Sequence, residues 1–277
     1  MNGPILLVCN PSQPRAAQTA RKLAEFLHTQ KQEAIILDDY KQIPSYPNAR
    51  LCVSLGGDGT VLRCARQTAP LHIPVLAVNC GHLGFLSTCE AANAPLMLTD
   101  FLQDNFKINS RWLLEADIWR AGQEPVTQAL AFNDCVIKAS QPRAFSLRAE
   151  QNGKLFKTFY GDGVIVATPT GSTAYSLAAG GPIVDPALDI WTVTPICPHS
   201  LSDRTILLPA QTELQFTPIF KNQSDYAAVS LDGQENFLLH NQDRVIVRQS
   251  KARTQLVCTQ NFDFFARLQE KLEWGTR

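Results

Sequence analysis

The sequence predicts an α/β N-terminal domain, a parallel sheet with flanking helices, followed by a β-rich C-terminal domain. Three observations carry this expectation. Short apolar runs alternate with helix-period segments over roughly the first hundred residues. Two of those runs close in glycine-rich turns. From about residue 110 the pattern changes to brief strand-like segments separated by turn residues. Alternating strands and helices imply a parallel sheet that binds ligands beyond the carboxyl ends of its strands, where both glycine-rich segments fall.

Ile5 to Cys9 is a short apolar run that ends at the turn signal Asn10-Pro11-Ser12. The helix expected next carries Ala16, Ala20, Leu23, Ala24 and Leu27 on one stripe at a 3.6 period. Ala34 to Leu37, Leu51 to Leu55 and Pro74 to Asn79 read as further buried strands. Thr60 to Thr68 suits a helix with Val61, Leu62 and Ala65 on one side. In the second half, Ala116 to Trp119, Ser146 to Ala149, Leu214 to Phe216, Ala228 to Leu231, Arg244 to Val247 and Gln255 to Cys258 are strand-like. Asn152-Gly153 and Asp232-Gly233 mark turns between such runs. Phe264, Leu268, Leu272 and Trp274 give the tail an amphipathic helical spacing. The expected domains are 1–108 and 109–259, with 260–277 returning to pack on the first.

At 277 residues, 45% hydrophobic and 18% charged, the chain can bury a large core and is not broadly disordered. Twenty-five basic residues balance twenty-five acidic ones, so no long-range field gathers nucleic acid or anionic membrane. A phosphate-bearing ligand must be held locally. Ile5 to Cys9 is too brief for the apolar region of a signal peptide, no run reaches the length of a membrane span, and a cytoplasmic location is expected. The eight cysteines form no C-x-x-C pair and several sit in apolar runs, as small buried hydrophobes do. The five histidines show no metal-ligand spacing, so no protein-built zinc site is expected.

The sharpest local feature is Leu51-Cys52-Val53-Ser54-Leu55-Gly56-Gly57-Asp58-Gly59-Thr60, a buried strand that ends in glycines before a helix. Glycines there let the backbone approach a ligand, and a helix N-terminus offers amides to phosphate oxygens. Gly56, Gly57, Gly59 and Thr60 are therefore the candidate phosphate-binding residues. An aspartate among them would repel an anion, but it suits a hydroxyl that must lose its proton during phosphoryl transfer. Arg63, one turn into the helix, could add positive charge. The plainer reading makes Asp58 a helix cap. The segment fits neither the Walker A pattern nor G-x-G-x-x-G.

Further motifs follow in order. They are Asn79-Cys80-Gly81-His82-Leu83-Gly84-Phe85-Leu86, Phe132-Asn133-Asp134, the run from Gly161 to Ser176 continuing through Ala179-Gly180-Gly181-Pro182, Cys197-Pro198-His199-Ser200-Leu201-Ser202, and Asp232-Gly233-Gln234. With the G-G-D-G-T turn, this ordered set resembles the NAD kinase family over nearly the whole chain. That turn alone would be shared with diacylglycerol and sphingosine lipid kinases.

The resemblance implies an N-terminal α/β domain and a C-terminal β-rich domain with NAD bound between them. It implies transfer of the γ-phosphate of ATP to the 2′-hydroxyl of NAD's adenosine ribose, with Mg²⁺ or another divalent cation arriving on the nucleotide. Asp58 takes the place of the catalytic base. Asn133 and Asp134 would hold ribose hydroxyls, Asp162 the nicotinamide carboxamide, and Thr173, Ala174 and Tyr175 the adenine, with Phe85 against the base. Gly59, Arg63, Arg143, Ser176, Ala178 and Gln234 complete the expected NAD contacts, and a homodimer or homotetramer is implied. Without the motifs, Tyr175 and Phe85 would read as core aromatics, Asn133-Asp134 as a turn and His199 as a structural histidine. Two positions depart from the family. Tyr160 stands where many members carry Lys or Arg, with Arg143 or Lys157 as possible substitutes, and Asp134 replaces the commoner Glu. The rival readings are a lipid kinase and an NAD(H)-sensing module without turnover.

Overall fold

The computed structural model describes residues 3–10, 13–37, 43, 46–81, 84–121, 125–222 and 224–273. Pro11 and Ser12 of the expected first turn, His82 and Leu83 of the second glycine-rich segment, and Trp274 of the tail lie outside them. The chain divides into two compact units, residues 1–111 with 252–277, and residues 112–251.

The first unit alternates strand and helix: β1 (Ile5–Cys9), α1 (Pro14–Thr29), β2 (Ala34–Leu37), β3 (Leu51–Gly56), α2 (Asp58–Thr68), β4 (Val75–Asn79), β5 (Cys89–Glu90) and α3 (Ala94–Leu102). β1 pairs in parallel with β2 on one side and β3 on the other, and β3 pairs in parallel with β4. Val75 of β4 also pairs with Leu256 in the last strand of the chain, and its far end with β5, both in parallel. Every residue of β1, β3 and β4 is buried, as strands of a parallel sheet covered on both faces must be. Helix α1 begins on Pro14, where a missing N–H costs nothing, and buries Ala16, Ala20, Leu23 and Leu27. The sequence reading has no helix at α3; Pro95 lies in its first turn, and Ala94, Met97, Leu98 and Phe101 supply the buried stripe.

In the second unit, β6 (Lys107–Trp119), which begins in the first unit, pairs antiparallel with β7 (Pro125–Ala131). Then come β8 (Asp134–Ala139), β9 (Phe145–Gln151), β10 (Lys154–Gly161), β11 (Gly163–Ala167), the single helical turn α4 (Tyr175–Ala178), β12 (Ile190–Ile196), β13 (Ile206–Pro209), β14 (Leu214–Ile219), β15 (Ala227–Leu231), β16 (Glu235–Leu239) and β17 (Arg244–Cys258), whose residues from 252 belong to the first unit. A six-stranded antiparallel sheet runs β13-β12-β11-β8-β15-β16, and β10, β9, β14 and β17 form a second antiparallel series. Their facing sides meet in one core around Trp191, Phe216, Leu147 and Val229. Asn152-Gly153 and Asp232-Gly233 take positive φ at both positions, which suits the two-residue hairpin between β9 and β10 and the three-residue turn, 232–234, between β15 and β16. The two segments read separately at 244–247 and 255–258 form one strand. The polar stretch between them hides that continuity from a hydrophobic pattern.

Helix α5 (Phe264–Leu272) closes the described chain in the first unit, capped by Asp263, whose carboxylate accepts from Phe265 N at 2.8 Å. Arg267 of α5 donates to the Ser87 carbonyl at 3.0 Å. All eight cysteines are free thiols, and Cys197 is the exposed one.

Candidate active site

In the first unit, β1 lies between β2 and β3, so the connections leaving β1 and β3 diverge at their carboxyl ends. Such a switch point opens a crevice in a parallel sheet. Here it is a cavity of about 650 Å³ lined by Gln13, Pro14, Arg15, Gly56, Gly57, Asn79, Cys80 and Gly81. The two glycine-rich segments are tied together at this point, because Cys80 N donates to Gly56 O at 3.2 Å. Asn79 braces the second of them, exchanging hydrogen bonds with Gly81 N and O at 3.0 and 3.1 Å. Gly56 has no room for a side chain: a Cβ would stand 2.5 Å from Thr60 Oγ1. Thr60 is itself buried, so its hydroxyl packs on the turn and not in the cavity.

Asp58 is the first residue of α2. Its Oδ2 accepts from Phe85 N at 2.9 Å and its Oδ1 from Leu86 N at 3.2 Å. Gly59 follows it on the exposed side, Arg63 is half-buried one turn on, and the Phe85 ring is half-buried. None of these side chains lines the 650 Å³ cavity. Arg15 does, at the head of α1, and sequence reasoning missed it: one arginine after a turn carries no motif.

In the second unit, β8 and β15 are antiparallel neighbours, with Val136 opposite Ser230 and Lys138 opposite Ala228. Alternate residues Cys135, Ile137, Val229 and Leu231 point into the core. The opposite face lines a cavity of about 500 Å³ through Asn133, Asp134, Val136, Lys138, Ala228, Ser230, Asp232 and Gly233, completed by Ala139, Ala174 and Tyr175. The glycine- and threonine-rich run is knitted to this site. Thr168 donates its amide to Asn133 O at 2.8 Å and its hydroxyl to Phe132 O at 2.7 Å. A Cβ on Gly171 would stand 2.1 Å from Asn133 O, so only glycine lets the loop lie against that backbone.

Two polar groups of this cavity are set apart by burial. Asn133 Oδ1 is buried without a hydrogen bond. Asp134 is 5% exposed, and burial, helped by the charge of Asp232, pushes its carboxyl up to about 7. Asp232 is where sequence reasoning fell short, since the resemblance gave the role in that motif to Gln234. Its partners lie 98 to 100 residues earlier in the chain, a distance no local pattern spans.

The other expected contacts fall elsewhere. Ser176 is fully buried, and its hydroxyl is shared with Thr194 Oγ1 at 3.0 Å, so that side chain is turned away from the cavity. Thr173 leans on Thr170 O at 3.4 Å, and Ala178 is exposed on α4. Gln234 holds the turn through its amide, which donates to Leu231 O at 2.9 Å. Asp162 sits between β10 and β11, its amide on Ile196 O and its carbonyl accepting from Ala139 N. None of these five lines the 500 Å³ cavity.

Arg143 lines a separate cavity of about 510 Å³ with Tyr160, His199, Lys221 and Tyr226. His199 meets Tyr160 edge to face at 5.1 Å and donates its amide to Tyr160 O at 2.9 Å. Of the two cations considered as substitutes at position 160, Arg143 thus shares a cavity with Tyr160. Lys157 is committed to Asp203 at 2.8 Å.

Residues 46–106 match the sequence model of the ATP-NAD kinase N-terminal domain, and residues 133–259 that of the ATP-NAD kinase C-terminal domain. An NAD kinase of Desulforamulus reducens is 37% identical over 283 residues, covering 97% of this chain and 96% of that protein. An NAD kinase of Treponema denticola is 36% identical over 276 residues, covering 98% and 96%. Yeast NADH kinase complexed with NADH superposes with a TM-score of 0.89 at 24% identity, over 100% of this chain and 89% of that one. An Archaeoglobus fulgidus NAD kinase in complex with ATP gives 0.78 at 21% identity, over 99% of both chains. These two structures share the fold.

Proposed function

Because the chain belongs to the NAD kinase family and is a kinase, we propose that it transfers the γ-phosphate of ATP to the 2′-hydroxyl of NAD's adenosine ribose. The products are NADP and ADP. The observation that carries the reading is the tether on Asp58, whose two oxygens each accept one backbone amide from residues 85 and 86. A ribose hydroxyl is a poor nucleophile at neutral pH, and a carboxylate in fixed orientation can take its proton as the bond to phosphorus forms. Each carboxylate oxygen has a second lone pair, so the tether leaves acceptor capacity for that proton.

The nucleoside half of NAD suits the 500 Å³ cavity. Asn133 Oδ1 offers a buried acceptor to a ribose hydroxyl, Asp134 offers a second group, and Tyr175 provides an aromatic face for adenine. Gly56 and Gly57 let a phosphate approach the switch-point cavity, and Arg15 there supplies positive charge. Among the described residues no three His, Cys, Asp or Glu gather as a metal site. Mg²⁺ would be held chiefly by the nucleotide's own oxygens, with its waters. When bound, the ion offsets the charge on the transferring phosphoryl group. No helix among the described residues is long and apolar enough to cross a membrane; a cytoplasmic location is part of the proposal. A homodimer or homotetramer belongs to the same proposal.

The test is incubation with ATP, Mg²⁺ and NAD, with NADH in a parallel tube, followed by an assay for the 2′-phosphorylated product. Product from neither acceptor, with either dinucleotide still bound, would favour a sensor without turnover. Phosphorylation of a lipid alcohol in their place would favour the lipid-kinase reading.

A further inference from the structure

Asp232 lies in the hairpin turn between β15 and β16, a place where an aspartate ordinarily caps its own turn. Its side chain instead reaches across to the start of β8. Oδ1 accepts from Asn133 N at 2.7 Å, from Phe132 N at 3.1 Å and from Asp134 N at 3.2 Å, and Oδ2 accepts from Phe132 N at 2.9 Å. The return bond runs from Asp232 N to Asp134 O at 3.0 Å. Three successive amides aimed at one carboxylate form a concave nest that fixes the backbone of all three residues. Such bonds to an ionised acceptor are roughly twice as strong as neutral ones.

This nest presents one unpartnered acceptor and one buried carboxyl to the cavity. Asn133 Oδ1 is buried without a donor, and Asp134 is 5% exposed beside Asp232. We infer that Asp232 is a positioning residue for nucleoside recognition: it clamps the amides of residues 132–134 so that Asn133 and Asp134 face the bound ribose. The inference rests on the reading that NAD occupies this cavity.

Charge is part of the clamp. The Cys135 thiol, next along β8, is pushed up first by burial and then by both Asp134 and Asp232, so the two carboxylates act on the same small region. The titratable and charged groups that share the cavity with Asp134 are Asp232 in the turn after β15, Lys138 on β8 and Tyr175 at the start of α4, while Cys135 lies on the core face of β8. With its carboxyl titrating at about 7, Asp134 changes charge near neutrality. Its ionised form accepts the stronger hydrogen bond from a ribose hydroxyl. The KM for NAD therefore falls as pH rises through that range.

The experiment measures KM for NAD and kcat against pH for the native enzyme and for Asp232→Asn. Asparagine can keep Oδ1 on the amides of Asn133 and Asp134 but turns its NH₂ toward the Phe132 N–H that Oδ2 accepted, so it removes the charge and loosens one end of the clamp. The midpoint of the KM profile should move down by about one pH unit, toward the ordinary carboxylate range. A midpoint that stays in place while thermal stability drops would make Asp232 a structural cap and overturn the proposal. Asn133→Ala and Asp134→Ala test the underlying reading separately, because an unchanged KM for NAD in both would remove the ribose from this cavity. Should Asp232→Asn not fold, Asp134→Asn carries the test: the neutral-pH step in KM should vanish, and its persistence would overturn the proposal.

Discussion

A Cβ on residue 84 would stand 1.9 Å from Oδ1 of Asp58, so the backbone of Gly84 lies directly against that carboxylate. The glycine of the second motif is there to make room for the aspartate of the first. Gly84→Ala should push the carboxylate out of place and lower kcat by about tenfold or more, since a misplacement of about 1 Å can cost 10²-fold. Thermal unfolding should change little beside that loss. Normal turnover in a folded variant would separate Gly84 from the chemistry.

Asp58→Asn removes the basicity and should lower kcat by at least about two orders of magnitude, in line with general-base contributions of roughly 10² to 10⁴-fold. The structure adds a second effect. Both oxygens accept amides, so the Asn NH₂ must face the N–H of Phe85 or of Leu86. The variant should lose some stability as well, read as a lower Tm. NAD affinity near the native value with collapsed turnover is the expected pair. Near-normal turnover would end the base assignment.

Arg143 and Lys157 should separate cleanly. Arg143→Ala should raise the KM for NAD by roughly tenfold with kcat held, the effect of one charge-assisted contact made alike in ground and transition states. Lys157→Ala should instead lower the Tm, because Asp203 is 6% exposed and would lose its ion-pair partner. Reversal of the two outcomes would assign the substitute cation to Lys157.

Stability should depend on pH through Asp134. Its folded carboxyl titrates at about 7, above the roughly 3.9 of an unfolded aspartate. Between those values the folded chain holds the extra proton, so this group's contribution to stability falls as pH rises from about 4 to about 7 and is flat above. Asp134→Asn removes that loss. Denaturant unfolding should show the variant gaining on the native enzyme from about pH 4 to about pH 7, by on the order of a few kcal/mol at most. A difference that does not vary with pH would contradict the raised carboxyl.

The sequence by itself determined the alternation that makes the first unit a parallel sheet, the two positive-φ hairpin turns, and the family. Each of these is written in neighbouring residues: apolar runs at strand length, Asn-Gly and Asp-Gly dipeptides, and the ordered glycine motifs. The continuity of β17 was not legible, because its polar middle lacks the apolar pattern that marks a buried strand. Ser176 belongs to the same matched segment as Tyr175, yet one points to Thr194 in the interior and the other lines the cavity. Adjacent residues on a helical turn diverge by about 100°, and only packing decides which one faces inward. The placement of Gly84 against Asp58, and of Asp232 beneath residues 132–134, was decided by tertiary structure alone. Those contacts join segments about 27 and about 100 residues apart. Hydrogen bonds across such spans depend on how strands are laid side by side, and local sequence carries no record of that order.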